Sequence, residues 1–318
     1  MRIIEESNRF ADVDIIMPTL NSERTIEAGL DSIRRQKYDG RINIVIVDGG
    51  SVDQTLEIAK KYDCKVHVKK GAYMNGVNGA YNFAIKHSSS DFILRMDSDN
   101  ILCGENFLSE MVKPLMEDPT INLSISVKTL GQNPNCFEQF EVSEELNNIR
   151  DIIKHGTKTS SYYVVEDLDY GLTNCAVFRR RDYLKVGDFV SDVTFLEALR
   201  VNGLSKAAII FSANFYSPGL QYSELLKKMY RRYKKVANSL EDLKILFPQK
   251  KQSVGRMHLT LFSYFKFTAA IIYQFIKYRD RVHACGVIVA TLPFVMVLIR
   301  PVSSFKIYTR YIRKMTYD

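Results

Sequence analysis

The chain has 318 residues, 46% hydrophobic and 25% charged, which suits one large α/β domain plus an appendage, or two modest domains, and argues against wholesale disorder. Its net charge of +8 is unevenly spread: residues 221–318 carry 19 Lys and Arg against 5 Asp and Glu, a net +14, while residues 1–220 carry 25 against 31, a net −6. Five cysteines at 64, 103, 136, 175 and 285, with no close pair, imply neither a disulfide framework nor a zinc knuckle.

A reducing compartment fits that cysteine usage. The first residues, MRIIEESNRFADVD, lack the apolar stretch of a signal peptide, so the catalytic part is expected in the cytosol. In chain order, residues 12–20 read as an apolar strand ending in a turn. Residues 22–36 have helical spacing, with Ile26, Leu30 and Ile33 on one face and Ser22 as a candidate cap. INIVIVDGG (42–50) is a β-branched run stopped by two glycines, the pattern of a strand buried on both faces of a parallel sheet. Then follow a helix over 51–62, a strand over 65–70, a helix over 78–87, a strand over 91–99 ending in carboxylates, a helix near 105–117 and a strand near 121–128. Repeated βα units predict a parallel sheet, with polar residues gathered after the C-terminal strand ends, where open α/β sheets bind ligands. Beyond residue 130 a helix over 137–153 precedes an irregular stretch, 162–189. A further helix over 191–203 carries Asp192 at its start and Gly203 as its C-cap.

Three stretches carry candidate chemistry. In RMDSDN (95–100), Asp97 and Asp99 flank one residue after an apolar run. On an extended segment both would project to one side and could face one Mg²⁺ or Mn²⁺ ion, a hard cation that shares oxygen ligands with phosphates. In VDGGSVDQT (47–55), Asp48 ends a strand, and Gly49 and Gly50 permit a tight turn or close approach to a ligand. A carboxylate there can accept a hydrogen bond from a nucleobase imide or a ribose hydroxyl, whereas Asp53 reads as a helix-start residue. MPTLNSE (17–23) is a strand end, a proline turn and a polar cluster.

Together these stretches resemble the inverting family 2 glycosyltransferases, whose fold is GT-A: Rossmann-like, a mostly parallel sheet with flanking helices. The family's P-T/S/A-x-N-x-E loop is matched by Pro18, Thr19, Asn21 and Glu23, and its V-D-G/D-G/N-S-x-D-x-T segment by Val47 to Thr55. An A-x-x-N-x-x-I helix corresponds to Gly79-Ala80-Tyr81-Asn82 leading to Ile85, and the D-x-D pair to Asp97 and Asp99. Further on, G-x-N and R-R correspond to Gly171, Asn174, Arg179 and Arg180, and G-x-F to Gly187-Asp188-Phe189; the E-D pair reads Ser191-Asp192, which keeps the Asp and lacks the Glu. The resemblance runs over roughly residues 12–236. It implies a nucleotide diphosphate donor, a UDP- or GDP-sugar, bound by Pro18, Thr19, Asn21, Glu23, Asp48, Gly49 and Asp97, with Arg180 assisting the diphosphate. It also implies a divalent metal at Asp97 and Asp99 and Asp192 as general base toward an acceptor hydroxyl. The Q/R-x-x-R-W motif of polymerising relatives overlays on Met229-x-x-Arg232-Tyr233; the two departures argue against a processive synthase and leave Arg232 two readings, the favoured one a basic helix surface and the other a diphosphate contact. A polyprenyl-phosphate (dolichol-phosphate) sugar synthase is the alternative inside this chemistry.

The expected organisation is a GT-A catalytic domain over 1–220 and a helical, basic, hydrophobic C-terminal region over 221–318. In that region a basic helix (223–240) precedes two apolar runs. Residues 257–276 are interrupted by Lys266; residues 282–299 have no charged residue but contain Pro293. A span needs about 20 apolar residues, and two spans would place the basic YRDR loop (278–281) outside, against the positive-inside tendency. Attachment in the interface of an anionic leaflet is therefore favoured, at the cytoplasmic face of the cell membrane, with a lipid-linked or surface-glycan acceptor. Burial of the runs in a homo-oligomer competes with that reading. A nucleic-acid-binding or membrane-binding scaffold with an inactive transferase-like domain is the alternative of another class; no nucleic-acid partner is expected, because the basic residues accompany long apolar stretches.

Overall fold

The computed structural model describes residues 10–70, 77–134, 136–168, 174–188 and 192–218. The expected C-terminal region, 221–318, lies outside the described residues. The described residues up to Pro218, apart from 132–134 and 136–144, belong to one compact unit; 132–134 and 136–144 fall in a second. Among the described residues no helix is long and apolar enough to cross a membrane.

The elements in order are β1 (Val13–Thr19), α1 (Ile26–Arg34), β2 (Ile42–Asp48), α2 (Thr55–Lys60), β3 (Lys65–Val68), α3 (Val77–Lys86), β4 (Phe92–Arg95), β5 (Ile101–Leu102), α4 (Phe107–Glu117), β6 (Leu123–Lys128), α5 (Cys136–Ile153), β7 (Thr157–Lys158), β8 (Tyr163–Val165), β9 (Val177–Arg179), α6 (Arg180–Val186), α7 (Asp192–Val201) and β10 (Ala207–Tyr216). They build one mixed sheet in the order β3-β2-β1-β4-β9-β6-β10-β8-β7, with β5 pairing on β10. Strands β3, β2, β1 and β4 are mutually parallel, as are β6 and β10, whereas β9 runs antiparallel between β4 and β6. This is the α/β arrangement expected of a GT-A domain.

The core follows from strand alternation, since successive side chains point to opposite faces. Val13, Ile15 and Met17 of β1 meet Leu30 and Ile33 of α1 and Met111 and Leu115 of α4 on one face. Ile16, with Val45 and Val47 of β2, meets Ala84 and Ile85 of α3 and Phe195 and Leu199 of α7 on the other. Pro18 sits inside β1, opposite Val47 of β2. Its missing N–H faces the β4 side, where pairing ends at Ile16 and Arg95, so the ladder loses nothing there. Helix α7 closes as its Gly203 implies: φ is +67°, and Leu204 N–H donates back to the Leu199 carbonyl at 2.8 Å.

Three expectations change. The strand expected over 91–99 stops at Arg95, because the acidic residues after it form a turn. Residues 207–216, unassigned from sequence, form β10, the longest strand among the described residues, bonded to β5, β6 and β8. The irregular stretch 162–189 holds β8, β9 and α6.

Candidate functional site

Strands β1 and β2 end level with each other, Thr19 opposite Asp48, and the loops that leave them are laced together. Gly49 N–H donates to the Thr19 carbonyl at 2.9 Å. Asn21, in the left-handed region at φ +51°, donates its N–H to Ser51 Oγ at 2.8 Å and accepts from Val52 N–H at Oδ1, 3.0 Å. Glu23 accepts from Gln54 N–H at Oε2, 3.0 Å, and donates its own N–H to Asp53 Oδ2 at 3.2 Å. Ser22 N–H donates to Thr55 Oγ1 at 2.7 Å. The side-chain oxygens of Asn21 and Glu23 thus cap backbone donors ahead of α2, while Asp53 accepts from Thr55 N–H and hydroxyl at the helix start.

Asp48 is the pin of this lattice. Its exposure is 0%. Oδ1 accepts from Gly50 N–H at 2.8 Å and Ser51 N–H at 2.7 Å; Oδ2 accepts from the Ser51 hydroxyl at 2.5 Å and the Thr19 hydroxyl at 2.9 Å. Where a direct base contact was expected of Asp48, both oxygens are engaged within the two loops. Gly50 has φ +100°, a conformation that costs a residue with Cβ, and a Cβ there would meet Lys70 Cγ at 3.2 Å.

The acidic pair lies next door, beyond β4. Asp97, Ser98, Asp99 and Asn100 form a turn closed by Asn100 N–H donating to the Asp97 carbonyl at 3.0 Å. The extended geometry expected to align the carboxylates is therefore replaced by a turn, in which Asn is a favoured residue. The hydroxyls of Ser22 and Ser98 lie 2.9 Å apart, joining the β1 loop to the acidic turn. Three motif segments, read separately along the chain, thus meet at the C-terminal ends of adjacent parallel strands. Contrary to expectation, Ser22 does not cap α1 with its side chain; its carbonyl accepts from Thr25 and Ile26 N–H.

Asp97 and Asp99 are half-buried. The Tyr81 hydroxyl, on α3, donates to Asp97 Oδ1 at 2.7 Å. Burial, and then the Asp97 charge, push that hydroxyl well above its ordinary value, so it stays a donor. The Arg95 guanidinium lies 4.5 Å from the Tyr81 ring centre and donates to Asn78 Oδ1 at 3.3 Å. Cys175, fully buried and at φ +49°, is also pushed well up, by burial first and then by Asp97 and Asp99; it is a neutral thiol beside the turn.

The other expected residues separate. Asn174 immediately precedes Cys175, and its Oδ1 is enclosed with no hydrogen-bond partner among the described residues. Arg180 is a correction. It donates its N–H to the Asp91 carbonyl at 2.9 Å and its Nε–H to the Ile85 carbonyl at 3.3 Å, at the start of β4. Because β9 runs antiparallel to β4, the chain enters β9 beside the acidic turn and leaves it at the opposite end. At about 3.3 Å per residue, the length of β4 separates Arg180 from the turn by roughly 10 Å or more. Asp192 opens α7; its side chain, Gly171 and Arg232 lie outside what is described. Tyr81, Arg95, Asn100 and Ser217 were not singled out from sequence. Tyr81 and Asn100 sit inside quoted motifs, but neither a tyrosine within a helix nor an asparagine after D-x-D announces which carboxylate it will meet.

A divalent cation fits this donor set only jointly with a substrate. Among the described residues no group of three His, Cys, Asp or Glu side chains could enclose a metal. Two carboxylates on one turn are instead the sparse kind of set that binds Mg²⁺ together with phosphate oxygens and waters.

The profile of Glycosyl transferase family 2 matches residues 14–185. Asp192 and Arg232 lie past the matched segment. The UDP-Glc:alpha-D-GlcNAc-diphosphoundecaprenol beta-1,3-glucosyltransferase WfgD of Escherichia coli is 35% identical over 89 residues, 28% of this chain and 35% of that protein. The poly(ribitol-phosphate) beta-N-acetylglucosaminyltransferase TarS of Staphylococcus aureus is 35% identical over 92 residues, 28% of this chain and 16% of that protein. The chain thus spans well under two thirds of either relative. Among solved structures, glucosyl-3-phosphoglycerate synthase from Mycobacterium tuberculosis, in complex with Mn²⁺, UDP and glucosyl-3-phosphoglycerate, aligns at 20% identity over 68% of this chain and 75% of that chain, with a TM-score of 0.47.

Proposed function

This chain belongs to glycosyl transferase family 2, and from that premise we propose that it is an inverting glycosyltransferase that moves a sugar from a UDP- or GDP-sugar to an acceptor hydroxyl. The observation that carries the reading is the meeting of the β1 loop, the β2 loop and the Asp97–Asn100 turn, through Thr19–Asp48 and Ser22–Ser98. In this proposal the nucleotide lies over the laced loops, whose shape Pro18, Thr19, Asn21, Glu23, Asp48 and Gly49 set. Asp48 acts there by fixing the Gly49–Ser51 backbone. Asp97 and Asp99 hold Mg²⁺ or Mn²⁺, which supplies neutralisation of the charge that develops on the leaving diphosphate. Asp192 takes the acceptor proton as general base while the hydroxyl attacks in line and inverts the anomeric carbon. Arg232 remains the proposed diphosphate cation, since Arg180 is held at the far end of β4.

The acceptor is proposed to be lipid-linked or part of a surface glycan. The similar E. coli protein is named for a diphosphoundecaprenol-linked acceptor and the S. aureus protein for poly(ribitol-phosphate), which supports this class. The net +14 of residues 221–318 and their two apolar runs support attachment to an anionic membrane at its cytoplasmic face.

Donor hydrolysis measured over a panel of nucleotide sugars with Mn²⁺ tests the activity; hydrolysis of none of them refutes it. Asp192→Asn then tests the acceptor class. A hydroxyl-directed enzyme should lose roughly 10²–10⁴-fold in transfer rate and keep donor affinity. Unchanged transfer to a polyprenyl phosphate, which is already ionised and needs no base, would instead identify a polyprenyl-phosphate sugar synthase.

A further inference from the structure

Asn100 has no exposed surface, yet its carboxamide is fully employed. Asp97 N–H donates to Asn100 Oδ1 at 3.0 Å, which settles which end of the amide is oxygen, because a backbone N–H needs an acceptor. The Cys175 thiol faces the same oxygen at 3.5 Å. The Nδ2 end then donates to Ser217 Oγ at 2.8 Å and approaches Asp99 Oδ1 at 3.5 Å. One buried side chain thus touches the backbone of the first acidic residue and the carboxylate of the second, while its own N–H closes the turn between them.

Ser217 is not an accidental partner. In the antiparallel pair of β5 and β10, Leu102 lies opposite Phe215 and Ile101 opposite Tyr216. The next rung would place Asn100 opposite Ser217. There the backbone ladder stops and a side-chain hydrogen bond takes its place, carrying the sheet register into the acidic turn.

We propose that Asn100 is a positioning residue: it sets the spacing of Asp97 and Asp99 for the cation–diphosphate pair, and it makes that spacing depend on the end of β10 through Ser217. This rests on the metal-dependent donor site proposed above. A turn held from outside loses less freedom on binding, so its two carboxylates meet the cation already placed.

The test is titration calorimetry of the full chain with UDP and with GDP over a series of Mn²⁺ concentrations and without metal, for wild type, Asn100→Ala and Ser217→Ala, with melting curves of each. Asn100→Ala should raise the Mn²⁺ concentration for half-maximal nucleotide binding about tenfold, the scale of one buried hydrogen bond. Ser217→Ala, at a half-buried position, should raise it about two- to fivefold while leaving melting and metal-free nucleotide binding unchanged. A purely structural role would move metal-free binding and melting together. Wild-type Mn²⁺ dependence in both variants overturns the inference alone. A wild type that binds neither nucleotide, or binds without regard to Mn²⁺, overturns the donor-site reading and the inference with it. If Asn100→Ala does not fold, Ser217→Ala decides.

Discussion

Asp48 offers the sharpest separation between a ligand contact and a loop pin. Replacing it by Ala removes the acceptor for two N–H groups and two hydroxyls at once. Thr19 is 1% exposed, so water does not readily replace the lost carboxylate there. Gly50 and Ser51 are half-buried and can recover solvent in part. At about 1–3 kcal/mol for the buried Thr19 donor left unmet, and less for each of the three on Gly50 and Ser51 that regain water, the loss is roughly 3–5 kcal/mol. For a domain of this size that is about 10 °C in melting temperature. Asp48→Asn is a different perturbation. Its oxygen still accepts from both backbone N–H groups, and the Thr19 and Ser51 hydroxyls can rotate to accept from its amide, so only the charge-assisted part is lost, about 1 kcal/mol. Thermal melts of the full chain and UDP titrations of both variants provide the assay. The pin account expects Asp48→Asn to melt near wild type and to retain nucleotide affinity. Asp48→Ala melting within about 2 °C of wild type, or Asp48→Asn folding normally while losing nucleotide binding, would refute it and restore the direct base contact.

Tyr81→Phe keeps the ring under Arg95 and deletes one hydrogen bond to Asp97; it should raise the Mn²⁺ requirement for nucleotide binding about two- to fivefold, read by the same calorimetry. Arg180→Ala should leave donor affinity within about twofold of wild type, because its side chain is committed to the Ile85 carbonyl far from the turn; a tenfold loss would return it to the site. Burial raises the Asp14 carboxyl, but hydrogen bonds from Ser88, Ser90 and Asn43 outweigh it and hold the group below its ordinary 3.8. The stability this contributes is present above that value and disappears as pH falls through the depressed one. The gap in urea midpoint between wild type and Asp14→Asn should therefore be larger at pH 7 than at pH 2; an equal gap contradicts it.

The parallel half of the sheet was legible because its strands are nearly unbroken apolar runs bounded by turn residues and alternate with helical spacing along the chain. Strand β10 was not, because its partners come from β5, β6 and β8, and a register break between Ile210 and Asn214 leaves Phe211 exposed inside the run. The motif stretches converge in space, and within them several side chains are engaged by the loops themselves. Asn and Asp are residue types that bind ligands and also bond neighbouring backbone groups; Asn21 and Asp48 spend their side chains on the second task, as does Glu23 with its longer carboxylate. Arg180 was misplaced for a topological reason: chain order does not say that β9 runs against β4. Asn100 and Tyr81 act through contacts 117 and 16 residues away in sequence, which no local pattern encodes.

The central claim is that the Asp97–Asn100 turn and the two laced loops form one metal-dependent site for a nucleoside diphosphate. Calorimetric titration of the full chain with UDP and GDP, with and without Mn²⁺, tests it most directly. The account predicts that at least one nucleotide binds with Mn²⁺ and far more weakly without it, and that Asp99→Ala abolishes the difference. Binding of neither nucleotide, or Mn²⁺-dependent binding that survives Asp99→Ala, would contradict it.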